Sequence, residues 1–147
     1  MLKLNIFVIT FLLLFTVSCS SSNEDLKVGA LDHFKRGNQL FQNDQPKAAI
    51  AEYKLAISLD PEQERFYYNM GLAYYRLVLY KQAADAYWEA ISKKPDFSEA
   101  WYNLSLTFNK LGQSEKAFMA YEKYLKLNKV GGKQKLDKPP KPKAGQK

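Results

Sequence analysis

The sequence repeats itself at an interval of 34 residues. Four residue types recur at this spacing through the middle of the chain. They are Ala49, Ala83 and Ala117; Tyr53, Tyr87 and Tyr121; Gly37 and Gly71; and Pro61 and Pro95. A fixed period of this length is typical of a two-helix unit that stacks against the next copy of itself. The period therefore predicts a solenoid of stacked helix pairs.

Apolar residues within one period follow the spacing of amphipathic helices. In the second period they form two series, Tyr67, Met70, Gly71 and Tyr74, and then Ala83, Tyr87, Ala90 and Ile91. Proline disfavours helical geometry in the residue before it, so Pro61 and Pro95 mark the ends of second helices. Gly112 is predicted to cap the first helix of the third period. We expect Gly37 and Gly71 where the two helices of a unit approach closely.

Two segments resemble the opening of a tetratricopeptide repeat. They are residues 98–104 (SEAWYNL) and residues 67–71 (YYNMG). The resemblance covers three units, 30–63, 64–97 and 98–129. It implies an all-α fold, a right-handed solenoid of three tetratricopeptide-type helix-turn-helix repeats.

The first and third units depart from the family pattern. His33 and Arg36 stand where Trp and Leu are usual, and Ser105, Tyr124 and Lys129 stand where Gly, Ala and Pro are usual. End units of a solenoid meet water on one side, so such departures indicate capping units. The last helix is predicted to leave an apolar strip partly exposed, as a docking or dimer surface or as a plain edge. Its residues are Phe118, Tyr121, Tyr124 and Leu125.

The resemblance also implies a binding site for another protein. In this family the first helix of each unit lines a concave groove in which a partner lies as an extended peptide or a helix. The groove residues implied here are Phe34, Asn38, Phe41, Arg65, Tyr68, Asn69, Tyr75, Arg76, Tyr102, Asn103 and Asn109. Rigid tyrosine rings provide contact area at low entropic cost, and an amide can donate to and accept from a peptide backbone. An alternative is that the tyrosines only pack neighbouring units together.

One ligand class is disfavoured by the same resemblance. Family members that bind the C-terminal carboxylate of chaperone tails use two asparagines and three basic residues. Asn38 and Asn69 match the two asparagines, but Phe34, Glu99 and Asn103 occupy the basic positions. We therefore do not expect such tails to bind in this groove.

The N-terminal segment has the layout of a secretory signal. Lys3 precedes an apolar run over residues 5–17, which is shorter than the about 20 residues of a spanning helix. The end of this run resembles a bacterial lipobox, with Thr16 in place of the usual Leu and the chain's single cysteine, Cys19, at the acceptor position. This predicts a signal peptide over 1–18, then a lipidated Cys19 and a short linker over 19–29.

A lipid on Cys19 would hold the protein to a membrane of the bacterial cell envelope, inner or outer. An ordinary cleaved signal and an uncleaved anchor are the alternatives.

The positive charge of the chain is concentrated at its C-terminus. Residues 126–147 contain eight lysines and one acid, Asp137, whereas the formal net charge of the whole chain is +7. Such a composition cannot bury enough apolar surface to fold, so a disordered Lys/Pro-rich tail is predicted over 130–147. The tail could contact an anionic surface, either membrane or cell wall, or only increase solubility. It lacks aromatic residues for stacking on bases, and no nucleic-acid partner is predicted.

Composition also argues against catalysis and metal binding. One Cys and one His exclude an intramolecular disulfide and a Cys/His metal cluster. No nucleophile–base pair or phosphate loop is evident, and no cofactor is implied. The sequence predicts a membrane-anchored adaptor without enzymatic activity. The alternative is a structural or surface lipoprotein whose tail contacts the membrane or cell wall, with no specific groove ligand.

Overall fold

A computed structural model describes the backbone of residues 2–129 and the side chains of residues 22–128. This part of the chain consists of helices joined by short turns. The helices are α1 (Leu2–Gln42), α2 (Pro46–Leu59), α3 (Glu64–Arg76), α4 (Tyr80–Lys93), α5 (Ser98–Lys110) and α6 (Ser114–Lys129). The tail predicted over 130–147 and the side chain of Cys19 lie outside the described residues.

The six helices form three antiparallel pairs stacked in chain order. The most extensive contacts join α1 with α2, α3 with α4, and α5 with α6. The next most extensive join successive pairs, α2 with α3 and α4 with α5. This confirms the predicted all-α array of three helix-turn-helix units.

The first helix is longer than the unit that the sequence predicts. A first unit beginning at Ala30 was expected, with a linker before it, but α1 is continuous through residues 22–29. This segment contains no proline, and Glu24, Leu26 and Lys27 are good helix formers. Gly29 costs about 1 kcal/mol in a helix, but a single glycine is tolerated and does not stop the helix before the first unit begins. Among residues with described side chains, no helix is long and apolar enough to cross a membrane.

The recurring glycines lie directly against the recurring tyrosines. A Cβ atom built on Gly71 would lie 2.6 Å from Cε1 of Tyr87, and one built on Gly37 would lie 2.5 Å from Cε1 of Tyr53. Both tyrosines are 1% exposed. A side chain on either glycine would thus collide with a buried ring, which explains why both positions are glycine.

The turns inside the three units share one backbone conformation. Asp44, Val78 and Gly112 have φ values of 57°, 63° and 73°. They are spaced by the repeat period, and each is followed by a residue whose N–H donates to a carbonyl of the preceding helix. These bonds run from Gln45 to Leu40 (2.9 Å), from Leu79 to Tyr74 (3.0 Å) and from Gln113 to Phe108 (2.9 Å). This is the left-handed helix cap predicted at Gly112; the sequence did not indicate it at Asp44 or Val78.

An aromatic ring in the second and third units ties each to the unit before it. Trp101 Nε1 donates to the Pro95 carbonyl at 2.9 Å, and the Tyr67 hydroxyl donates to the Pro61 carbonyl at 3.1 Å. His33 occupies the equivalent position in the first of the three described helix pairs. Its Nδ1 instead lies 2.7 Å from Oε2 of Glu52 on α2. The contact with Glu52 within its own unit explains why this position holds a histidine and not the usual Trp.

Candidate functional site

The eleven predicted groove residues lie on the first helices, α1, α3 and α5. None of them is fully buried, whereas the same helices direct Phe66, Ala73, Leu104 and Phe108 into the core. The eleven side chains therefore lie on a face of the array that water reaches. They differ, however, in whether they contact other parts of the chain.

The three predicted residues of the first unit make packing contacts. The Phe34 ring lies 4.9 Å from the Phe66 ring, between the first and second units. Asn38 Oδ1 accepts a hydrogen bond from the Tyr53 hydroxyl at 2.9 Å. The guanidinium carbon of Arg76 lies 5.3 Å from the centre of the Phe41 ring. In this structure these side chains stabilise the array, and this end of the face offers little unpaired surface.

Tyr68 joins the second unit to the third. Its ring lies 4.9 Å from the Phe97 ring, and its hydroxyl accepts a hydrogen bond from Asn103 Nδ2 at 2.9 Å. Burial raises the pKa of the Tyr68 hydroxyl, and the negative charge of the nearby Glu99 carboxylate raises it further. Tyr68 and Asn103 therefore fit the alternative interpretation, in which such residues pack neighbouring units together.

Three other predicted residues, Arg65, Asn69 and Asn109, have no hydrogen bond or ion pair from their side chains to the described part of the chain. Tyr102 is 39% exposed, and its ring lies 5.1 Å from the Tyr124 ring. These four residues present a cation, two amides and a tyrosine ring to solvent on α3 and α5. They are the part of the face that is most available to a ligand.

Two further predicted residues have partners at the edge of this face. The Tyr75 ring packs edge-on against Tyr80 at 5.2 Å, and burial raises its pKa. Nε of Arg76 lies 3.1 Å from Oδ1 of Asp44, both exposed. An exposed ion pair contributes little stability, so a ligand carboxylate could exchange with Asp44 at low cost.

A cavity of about 800 Å³ lies elsewhere, between α4, α5 and α6. None of the eleven predicted residues lines it. The sequence analysis missed it, although Trp88 directly follows the core residue Tyr87 and so points away from the core stripe of α4. No group of three or more His, Cys, Asp or Glu residues that could hold a metal ion occurs among the described residues.

Comparison with known proteins agrees with this architecture. A family model described as TPR repeat matches residues 37–78, and one described as tetratricopeptide repeat matches residues 86–119. No curated protein sequence matches the chain significantly.

Several solved structures are similar to the array. The crystal structure of MamA has 28% sequence identity to this chain and a TM-score of 0.69. The match covers 70% of this chain and 60% of MamA, so the chain spans less than two thirds of that protein. The second TPR of Spaghetti (RPAP3), bound to the HSP90 peptide SRMEEVD, is 23% identical, with a TM-score of 0.70 over 73% of this chain and 98% of that chain. The TPR2B domain of yeast Sti1, in a pHsp70 complex, is 20% identical, with a TM-score of 0.68 over 70% and 82% of the two chains.

These matches agree with the geometry of the array. Its helix pairs stack in order, and glycine–tyrosine contacts and left-handed turns recur with the sequence period. Repeats of this kind generally serve as protein-interaction modules. The chain belongs to the tetratricopeptide repeat family.

Proposed function

We propose that this protein is a membrane-anchored adaptor that binds a peptide or a helix of another protein on the face formed by α3 and α5. The observation that carries the proposal is the set of Arg65, Asn69, Tyr102 and Asn109, which are accessible and, apart from the ring contact of Tyr102, unpaired within the described chain. Related repeats in Spaghetti and yeast Sti1 form complexes with peptides or chaperone segments. Their similarity to this chain supports a protein as the ligand.

The chemistry of the face favours a ligand that uses its backbone. Asn69 and Asn109 each offer a donor and an acceptor, as a peptide amide requires. Arg65 adds a cation, whereas Glu99 on α5 is an exposed acid. The acidic C-terminal peptides bound by some relatives would meet Glu99 at a position where a cation is needed. We therefore propose a neutral or mixed-charge segment rather than an acidic C-terminal tail.

The anchor in this proposal is a lipid on Cys19, in the envelope of a bacterium. The sequence around Cys19 supports it. Because α1 is helical from Ser22 to Ala30, these nine residues span only about 12 Å. The array would then stand close to the membrane and present its face to partners at the same surface.

Crosslinking and capture from solubilised membranes test the proposal. We compare the wild type with an Arg65→Ala/Asn69→Ala/Asn109→Ala variant, which leaves the Tyr68–Asn103 contact intact. The control is Lys54→Ala/Gln82→Ala, which removes one exposed cation and one exposed amide from α2 and α4, outside the two helices that form this face. Capture of one partner by the wild type and the control, and its loss in the first variant, is the expected result. Equal capture by all three would refute binding on this face.

A second candidate function rests on the lysine-rich C-terminus. Residues 126–147 carry eight lysines and one acid, and such a segment is attracted to anionic lipid or cell-wall polymers. In this case the protein is a structural or surface lipoprotein. Deletion of residues 130–147 would then abolish its contact with anionic lipid or cell-wall polymer and its cellular effect, while the alanine variant of the face would retain both.

A further inference from the structure

The cavity between α4, α5 and α6 has an apolar interior. Trp88 of α4 and Trp101 of α5 meet edge to face, with ring centres 5.3 Å apart. Phe108 and Met119 complete the apolar surface, and Met119 is 64% exposed. An apolar surface of this kind, open to solvent and not covered by its own chain, is characteristic of binding sites.

The rim of the cavity is basic. Lys81 of α4 and Lys116 and Lys123 of α6 border it, together with one acid, Asp85. None of the three lysines forms an ion pair with any carboxylate of the described chain. The ammonium of Lys116 instead lies 5.7 Å from the centre of the Phe108 ring. The rim therefore carries positive charge that no carboxylate within residues 22–128 neutralises in an ion pair.

The shape of the cavity fits a helix. Its lining residues extend over positions 81–88 of α4 and 116–123 of α6, which is about 10 Å or two turns along each helix. A helix laid along such a groove inserts side chains at positions i, i+3 or i+4, and i+7. The volume of about 800 Å³ accommodates several large side chains.

We infer that this cavity is a second binding site, for an amphipathic acidic helix of a partner protein. The apolar side chains of that helix enter between Trp88 and Met119, and its acidic side chains pair with Lys81, Lys116 and Lys123. The C-terminal segment of this chain does not fit the site, because residues 126–147 carry eight lysines and would be repelled by the rim. The site is independent of the proposed face on α3 and α5, with which it shares none of the eleven predicted residues.

The protein contains its own reporter for this site. Its two tryptophans, Trp88 and Trp101, both line the cavity, so intrinsic tryptophan emission responds to a ligand bound there. The test titrates the full chain, held in neutral lipid nanodiscs, with a designed 16-residue helical peptide, a length of roughly four turns. The peptide carries leucines at i, i+3, i+4 and i+7, glutamates beside them and no tryptophan. A second peptide has lysine in place of every glutamate.

The acidic peptide should shift the tryptophan emission to shorter wavelength in a saturable titration. Lys81→Glu/Lys116→Glu/Lys123→Glu should weaken its binding about tenfold, and added salt should weaken it further. The Arg65→Ala/Asn69→Ala/Asn109→Ala variant should bind it as the wild type does.

Three results would overturn the inference. The first is an absence of any shift, or equal binding of the lysine peptide. The second is loss of binding in the alanine variant of the α3–α5 face. The third is a shift produced by protein concentration alone or by anionic lipid alone, which would assign the cavity to a second copy of the chain or to a membrane surface.

Discussion

Replacement of Gly71 by alanine places a methyl group where the structure has no room for it. The added Cβ would lie 2.6 Å from Cε1 and 2.7 Å from Cδ1 of Tyr87, well inside ordinary van der Waals contact. The Tyr87 ring is 1% exposed and packs against Tyr68 at 5.9 Å. It therefore cannot move aside without separating α3 from α4.

Two opposing effects determine how much Gly71→Ala changes the free energy of unfolding. Overpacking of a buried site costs about 1–3 kcal/mol, and we expect the upper half of this range because two ring atoms are affected. Alanine gains about 1 kcal/mol over glycine in helix propensity. The free energy of unfolding should therefore fall by about 1–2 kcal/mol, a large part of the stability of a small domain.

Urea unfolding followed by far-UV circular dichroism measures this change. In a Tyr87→Ala background the ring is absent, so Gly71→Ala should become neutral or stabilising. Gly112→Ala is a control for backbone strain without collision, because φ is 73° and no atom lies within 4 Å of its Cβ position. If Gly71→Ala stabilises the protein in both backgrounds, the argument that the repeated glycines make room for the tyrosines is wrong.

Three further predictions concern stability. Val78→Gly should raise the free energy of unfolding, measured in urea, by about 1 kcal/mol. Val78 has a φ of 63°, which is unfavourable for a β-branched residue, and its side chain is 65% exposed, so little packing is lost. An unchanged or lower free energy of unfolding would contradict this. Trp101→Phe should lower the free energy of unfolding by about 1 kcal/mol more than Trp88→Phe does, because within the described chain only the Trp101 indole donates a hydrogen bond, to the Pro95 carbonyl. Equal losses in the two variants would contradict this. Burial raises the pKa of Tyr53 from 10.0 to about 12. The contribution of this buried tyrosine to the free energy of unfolding is therefore fully present below pH 10 and falls by about 1.4 kcal/mol per pH unit between pH 10 and 12. Tyr53→Phe should flatten that part of the pH–stability curve, and an unchanged slope would show that Tyr53 does not titrate on unfolding.

The sequence predicts the repeating part of the fold because the packing that it encodes is itself periodic. Gly71 and Tyr87 recur as Gly37 and Tyr53 since each unit contains the same close helix crossing. The third unit has Ser105 at the glycine position, and its tyrosine, Tyr121, is more exposed than its two equivalents. Local patterns of residue type were sufficient for these features.

Features that depend on neighbouring units were not predictable in this way. Asp44 and Val78 adopt the same turn as Gly112. Aspartate tolerates a left-handed conformation but indicates it less strongly than glycine, and valine does not indicate it at all. The continuation of α1 before Ala30 reflects the absence of a stop signal rather than a visible start.

The apolar strip predicted on α6 is only partly present. Phe118 is 59% exposed, whereas Tyr121 is buried and its ring lies 5.7 Å from the Tyr124 ring. The sequence shows which residues lie on α6, but not that its tyrosines pack against each other and against Tyr102.

The sequence predicts which helices carry the proposed groove residues, but not which of these residues have side-chain partners within the chain. Family resemblance places all eleven residues on the first helices, where the structure has them. It does not separate Phe34 and Asn38, which contact Phe66 and Tyr53, from Asn69 and Asn109, which have no such contacts. That distinction requires the positions of side chains from other helices.

Binding of another protein by the face of α3 and α5 can be tested by site-specific photocrosslinking in living cells. A photoreactive amino acid is placed at Asn69 in one variant and at Lys54, on the exposed side of α2, in another. We expect a discrete adduct with one partner protein from position 69 and none from position 54. Adducts from both positions alike, or from neither, would contradict it.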